Sequence, residues 1–368
     1  MRTIMILTNH DGGLFHFRRE LLERLLAEGF RVIVSVPAGE YRTQIEALGC
    51  VYEPTEIERR GMNPVKDFLL FCRYGRLIKK YDPSVILTFT IKPNIYGALQ
   101  ARIGKVPYIV NVTGLGTALQ RDGVIQKLLL FLYRCALKKA CCVFFQNQEN
   151  LRFMREKGCV RKKCRLIPGS GVNLQEFQAL PYPEETQEIR ILNITRIMKD
   201  KGIEELLSAS EAVHKRYPGT VFEIVGDFEE DSRTLYEEKV EELQKNGIIK
   251  YYGYQKDIKA FLARCHLVVH PTYHEGMSNV LLEAAASARP VAASDISGCR
   301  EAFEDGKGGL AFKPQDAGAL TQAVEHFLQL EHTRKRQMGE AARSYVEQHF
   351  DRDKVVQAYM EEIRMAEK

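Results

Sequence analysis

Short β-branched runs alternate with longer amphipathic runs, the alternation stops once, and then it starts again. Few folds accept that pattern. Strand candidates in the front half are Thr3–Leu7, Arg31–Val36, Ser84–Phe89, Tyr108–Val112 and Cys142–Phe145. Between them the spacing predicts helices at Phe15–Glu28, Tyr41–Leu48, Val65–Lys80, Ile95–Arg102, Ile125–Ala140 and Glu149–Lys157. The stretch Gln178–Glu188, "QALPYPEETQE", is polar, carries two prolines and has no period, so it reads as a linker. Beyond it come strands at Arg190–Thr195, Val221–Val225, Ile248–Tyr252, Leu267–His270 and Val291–Ala293. The matching helices are Ile203–Arg216, Ser232–Lys245, Ile258–Ala263, Asn279–Ala288 and Ala317–Gln329, followed by a charged helical tract, His332–Lys368. Strands alternating with helices imply parallel βαβ units, hence an α/β chain of two Rossmann-like, doubly wound domains facing a cleft. A length of 368 residues suits two such domains. The expected division is residues 1–180, residues 181–345, and a C-terminal helix at 346–368 free to pack back on the first domain. Sheets of this kind bind ligands at the carboxyl ends of their strands.

The net charge of +5 hides an asymmetry. Residues 1–180 hold 28 basic and 15 acidic side chains, net +13, and the remainder is net −8. A basic front half points towards something anionic: nucleic acid, a membrane surface or a phosphorylated substrate. Nucleic acid is disfavoured, because no basic stretch is interleaved with aromatics and no binding motif appears. No apolar run approaches the roughly 20 residues of a membrane span, and Met1-Arg2 leads straight into a strand without a signal peptide. The nine cysteines form no Cys-x-x-Cys pair and no metal spacing, which reads as reduced thiols in a cytosolic protein.

Three stretches carry candidate chemistry. In "TNHDGGLFHF", Gly12 and Gly13 stand between the first strand and first helix, where glycines either shape the turn or admit a phosphate to a helix N-terminus. They do not form Gly-x-Gly-x-x-Gly, so no dinucleotide fingerprint is present. In "NITRIMKDKGIEEL", Arg196 ends a strand and Lys201 precedes Gly202, which makes either a diphosphate clamp or two solvated charges. In "HEGMSNVLLEAAASARP", Glu275 lies in a loop, Ser278 is an N-cap candidate, and Glu283 falls about one turn inside the helix. Backbone N–H groups from Gly276 to Asn279 lie between the two glutamates. A ligand with a central diphosphate and hydroxylated ends fits this arrangement. A glycosidase acid/base pair is the rival reading, but it has no use for the cations.

Glu275 and Glu283 in Glu-x7-Glu spacing, the Arg196 and Lys201 pair, and "PGSGVN" (Pro168–Asn173) together resemble the retaining glycosyltransferases of family 4, which have the GT-B fold. "HDGGLFHFR", "TIKPNIYGAL", "NVTGLGTAL" and "SDISGCREAFEDG" resemble a bacterial subgroup that extends sugars on undecaprenyl diphosphate, including N-acetylgalactosaminyltransferases of capsule, exopolysaccharide and protein-glycosylation pathways. The resemblance implies that Arg196 and Lys201 bind the diphosphate of a UDP-sugar and stabilise it as the leaving group. Glu275 would contact the donor sugar and Glu283 the ribose. Met277 and Ser278 would add backbone N–H contacts, Gly12 and Gly13 would approach the diphosphate, and Tyr254 would lie near the base. Many members carry a histidine after the fourth or fifth strand, where this chain has Thr113. A side-chain base is therefore not implied, and the leaving phosphate would take the acceptor's proton. No metal is implied, since the two cations would supply its charge.

A lipid-diphosphate acceptor accounts for the basic front half. Val65–Tyr81 and Ile125–Ala140 mix apolar and basic residues; each is either an ordinary Rossmann helix or a surface for an anionic leaflet, with Arg59 and Arg60 adjoining. Lys92 and Asn94, in "TIKPN", are candidates for the acceptor. The expectation is a cytoplasmic enzyme held peripherally at the inner face of the membrane. A UDP-sugar epimerase of the same fold is the alternative.

Overall fold

A strand covered by helices on both faces needs apolar side chains at every position, not every second one. The central strands are of this kind: in β1 (Thr3–Leu7) every residue is buried. The computed structural model describes residues 2–367 except 59, 60, 62, 117, 118, 120–122, 161, 162 and 185–187. It divides into two units, residues 1–171 with 352–368, and residues 172–351.

The first unit contains a parallel sheet in the order β3-β2-β1-β4-β5-β6-β7. Its other strands are β2 (Arg31–Val36), β3 (Val51–Pro54), β4 (Val85–Phe89), β5 (Tyr108–Val112), β6 (Cys142–Phe145) and β7 (Cys164–Leu166). Its helices are α1 (Asp11–Ala27), α2 (Arg42–Ala47), α3 (Pro64–Tyr81), α4 (Ala98–Ile103), α5 (Val124–Leu137) and α6 (Gln148–Glu156). A π-helical turn, Pro93–Gly97, leads into α4. The second unit has the order β10-β9-β8-β11-β12-β13. Its strands are β8 (Ile189–Ile194), β9 (Thr220–Val225), β10 (Ile249–Tyr251), β11 (Leu267–His270), β12 (Val291–Ser294) and β13 (Gly309–Phe312). Around them lie α7 (Ile203–Arg216), α8 (Arg233–Lys245), α9 (Lys259–Arg264), α10 (Asn279–Ala286), α11 (Ala317–Gln329) and α12 (His332–His349). The last helix, α13 (Arg352–Ala366), belongs to the first unit.

Three strands lie outside the sequence-based expectation: β3, β7 and β13. Each is an edge strand. Edge strands are short, and here β3 ends in Pro54 and β13 opens on Gly309, so none carries the continuous apolar run of a doubly covered strand. The expected boundaries at 180 and 346 move to 171/172 and 351/352. The first shift arises because Val172 N–H donates to Phe350 O at 2.8 Å and Val172 and Phe177 pack in the second unit's core. The second arises because the helical tract breaks at Phe350–Asp351. From there Arg352 binds Glu20 at 2.9 Å and the carbonyls of His16 and Gly171, while Tyr359, Met360 and Ile363 are buried in the first unit's core. Among the described residues no helix is long and apolar enough to cross a membrane.

Candidate functional site

In each sheet the chain winds outward from its first strand in one direction, then jumps back and winds the other way. Such a reversal opens a crevice at the strands' carboxyl ends, because the loops on either side of it diverge. In the second unit the reversal lies between β8 and β11. Lys201 follows β8 and Glu275 follows β11, so the topology brings together two residues far apart in sequence.

The local fold holds them there. Gly202 has φ +72°, and a Cβ on it would lie 2.0 Å from the Pro271 carbonyl oxygen, so only glycine allows this close approach. The Tyr273 N–H donates to Asp200 O at 2.9 Å, and the Tyr273 hydroxyl donates to Glu205 at 2.7 Å. These contacts tie the loop after β11 to the turn after β8. From the other side Gly298 (φ +89°) packs on the Glu275 and Gly276 carbonyls, and the Ser278 N–H donates to Gly298 O at 2.8 Å. Ser278 caps α10, its hydroxyl accepting from Leu281 N–H at 3.4 Å.

Within this frame Lys201 Nζ donates to Glu275 Oε1 at 2.5 Å, and each side chain is 18% exposed. The same oxygen lies 3.1 Å from Nε2 of His270, the buried last residue of β11. Glu275 Oε2 has no partner among the described residues. Burial by itself pushes the Glu275 carboxyl up. The Lys201 charge, with the His270 hydrogen bond added, outweighs it and holds the group down at about 2. Beneath the pair sits the buried Cys299, whose thiol is pushed up by burial and by the Glu275 charge. Glu275 is thus a fixed carboxylate that can accept hydrogen bonds, and a group ionised this firmly is no general acid near neutral pH.

The neighbouring loops add an exposed cation and an aromatic. Arg196, just past β8, is half exposed and forms an ion pair with Glu229 in the loop after β9. Tyr254, past β10, is 53% exposed, and its N–H donates to Asp227 Oδ1 at 3.2 Å. Glu283 lies within α10 and Asn279 at its start, the Asn279 Oδ1 being buried and without a partner among the described residues.

In the first unit the reversal lies between β1 and β4. Past β4, Thr90 is held at φ 71°, a strained conformation for a β-branched residue. Lys92 Nζ donates to Asp67 Oδ1 at 2.6 Å, and Tyr96 OH donates to the other oxygen at 3.0 Å. Next to Asp67 a groove of about 820 Å³ opens between α3 and the loops after β2 and β3, lined by Glu56, Glu58, Lys66, Arg73 and Arg76 among others. Of these, Arg76 has no partner among the described residues.

Residues 175–345 match the family described as "Glycosyl transferases group 1", and residues 4–147 match "Glycosyl transferase 4-like". The chain belongs to the group 1, GT4-like glycosyltransferases. This glycosyltransferase is 27% identical, over 97% of both chains, to the N,N'-diacetylbacillosaminyl-diphospho-undecaprenol alpha-1,3-N-acetylgalactosaminyltransferase of Campylobacter jejuni. It is 22% identical to the capsular polysaccharide biosynthesis glycosyltransferase CapM of Staphylococcus aureus, over 77% of this chain and 79% of that one. Among solved structures, Anabaena Alr3699/HepE in complex with UDP-glucose superposes with a TM-score of 0.81 at 18% identity, over 99% of this chain and 100% of that one. The two parallel-sheet α/β domains of the transferase are those of its GT-B structural neighbours.

Several site residues expected from sequence take other roles in the transferase. Gly12 and Gly13 lie inside the first turn of α1, not in a turn before it. Their N–H groups are already used: Gly12 donates to Asp11 Oδ1 and Gly13 to His10 Nδ1, both at 2.8 Å. A Cβ on either would press on His10, so the glycines accommodate this cap. The Ser278 N–H is likewise spent on Gly298 O, which removes it as a phosphate donor. Asn94 is 1% exposed and donates to Asn111 O at 2.8 Å, so it braces β5 from inside and presents nothing to an acceptor. Lys92 is available only if its pair with Asp67 opens. The sequence reading missed His270 and Cys299. His270 was visible in principle as a histidine closing an apolar strand five residues before Glu275.

Proposed function

We propose that this glycosyltransferase is a retaining enzyme that moves a hexose or N-acetylhexosamine, foremost N-acetylgalactosamine, from a UDP-sugar to a sugar carried on undecaprenyl diphosphate, in surface polysaccharide or glycan assembly. The observation that carries the reading is the Lys201–Glu275 pair at the topological switch point, with both side-chain contacts on one carboxylate oxygen. The donor's diphosphate competes with Glu275 for Lys201 and with Glu229 for Arg196. The freed carboxylate then accepts hydrogen bonds from the sugar hydroxyls through Oε2. Tyr254 offers its exposed ring to the uracil, and Glu283 serves the ribose.

In the reaction the bond between the anomeric carbon and the phosphate oxygen breaks, and UDP leaves with the electron pair. The acceptor oxygen bonds to that carbon from the same face, and its proton passes to the leaving phosphate. The cations stabilise the charge that develops there, so neither a protein base nor a metal is required. The full-length likeness to a lipid-linked N-acetylgalactosaminyltransferase supports this donor and acceptor class. The acceptor is assigned to the first unit, beside Lys92 and the groove with Arg76. Apolar side chains exposed on α3 and α5 would rest on the inner membrane leaflet, keeping the enzyme peripheral.

Glu275→Ala tests the reading. Transfer should fall by about 100-fold or more, while UDP affinity stays within about threefold. Turnover equal to wild type rules out the assigned role. An epimer appearing from UDP-GlcNAc alone would establish the epimerase reading instead.

A further inference from the structure

Glu275 has two partners on a single oxygen, and they differ in what becomes of them when a ligand arrives. Lys201 is a cation at the end of a long aliphatic stem, 18% exposed and also within 3.4 Å of Thr272 Oγ1. His270 is 3% exposed, closes β11, and has no such stem. A carboxylate only accepts hydrogen bonds, so the proton of this contact sits on His270 Nε2. Nδ1 is buried with no partner among the described residues. Among the described residues the one side-chain hydrogen bond of the imidazole is to Glu275 Oε1, at 3.1 Å.

Resting on the transferase reading, we propose that His270 is a positioning residue that holds Glu275 in place once the donor has drawn Lys201 away. In the free protein Oε1 is gripped twice and Oε2 is left open. When a diphosphate takes Lys201, the His270 N–H remains as the one group on Oε1 among the described residues. It then decides whether Oε2 still faces the donor sugar. The role differs from that of the cations: His270 touches neither phosphate nor sugar and acts only through the carboxylate. Its contribution therefore belongs to the step in which the sugar is gripped, and UDP, which has no sugar, should not register it.

The test uses a pair of side chains of nearly equal length, one with a donor and one without. In His270→Gln the amide nitrogen can reach Oε1, whereas in His270→Met nothing can donate. Wild type, both variants and Glu275→Ala are compared for transfer from a UDP-sugar to a lipid-diphosphate-linked acceptor, for UDP affinity by calorimetry, and for thermal midpoint. The expected result is a kcat lowered roughly 10- to 100-fold in His270→Met, with UDP affinity within about twofold of wild type, and most of the loss restored in His270→Gln. Equal kcat in His270→Met and wild type overturns the proposal. So does an equal loss in both variants, which would mark the imidazole as mere packing; the thermal midpoints identify that case. A wild-type chain that transfers no sugar overturns the transferase reading itself and the role of His270 with it.

Discussion

Glu275 is ionised by its surroundings in spite of its burial, and this has a consequence for stability. Its carboxyl is held at about 2 against an ordinary value of 4.5. A group whose pKa is lower in the folded than in the unfolded state binds fewer protons when folded. Its contribution is therefore fully present above about pH 4.5 and is lost as pH falls towards about 2. Thermal melting across that window should show the wild-type midpoint falling more steeply than that of Glu275→Gln, which has no such proton to bind. Parallel curves would show that the pair adds no pH-dependent stability. At this scale the sequence singled out side chains by type and spacing and was silent about how they are paired. Glu275 and Lys201 could be picked out by type and spacing. That each neutralises the other, that Arg196 is paired with Glu229, and that the N–H groups of Gly12, Gly13 and Ser278 are already spent are facts of three-dimensional contact between distant segments.

The elements were legible to the degree that they are buried. β1, β4 and β5, buried along their whole length, stand out in the sequence as largely apolar runs broken only by Thr3, Thr88 and Asn111. The edge strands β3, β7 and β13 do not. Helix starts failed where capping, not propensity, decides them. Asp11–Leu14 reads as a glycine turn, but His10 and Asp11 satisfy the first N–H groups and let α1 begin there. The amphipathic reading of α5 needs a refinement. An ordinary Rossmann helix is apolar inward and polar outward. α5 buries Leu130, Tyr133, Ala136 and Leu137, yet also exposes Val124, Ile125, Leu128 and Phe131, with Lys127 and Lys138 beside them. α3 similarly exposes Val65, Phe68 and Leu69 at its start. Arg59 and Arg60, named with this patch from sequence, lie outside the described residues. An apolar stripe flanked by cations is suited to the interface of an anionic leaflet. Leu128→Glu combined with Phe131→Glu should cut sedimentation with vesicles of anionic lipid by about tenfold. The melting temperature should be almost unchanged, since both side chains face outward. Undiminished sedimentation would remove α5 from the membrane contact.

For the whole molecule, the number of domains and their class could be read from the double alternation, because each βαβ series must bury its own sheet. Where they meet could not. The proline-rich stretch at 178–188 looked like the divide, but the chain has already entered the second unit by Val172. The return of α13 to the first unit depends on Arg352 and on Tyr359, whose hydroxyl accepts from the Asn111 amide. The residues proposed for the donor all belong to the second unit, and the groove with Arg76 and the exposed apolar stripes to the first. That division of labour suits an enzyme taking one substrate from water and the other from a membrane. The most direct test supplies the purified chain with UDP-N-acetylgalactosamine, UDP-N-acetylglucosamine, UDP-galactose and UDP-glucose in turn. A short undecaprenyl-diphosphate-linked sugar serves as acceptor, a chelator is present, and the anomeric proton coupling of any product is read by NMR. The account predicts one extended product with the donor's α configuration, formed fastest from UDP-N-acetylgalactosamine. A β-linked product, or no transfer from any of the four donors, would contradict it.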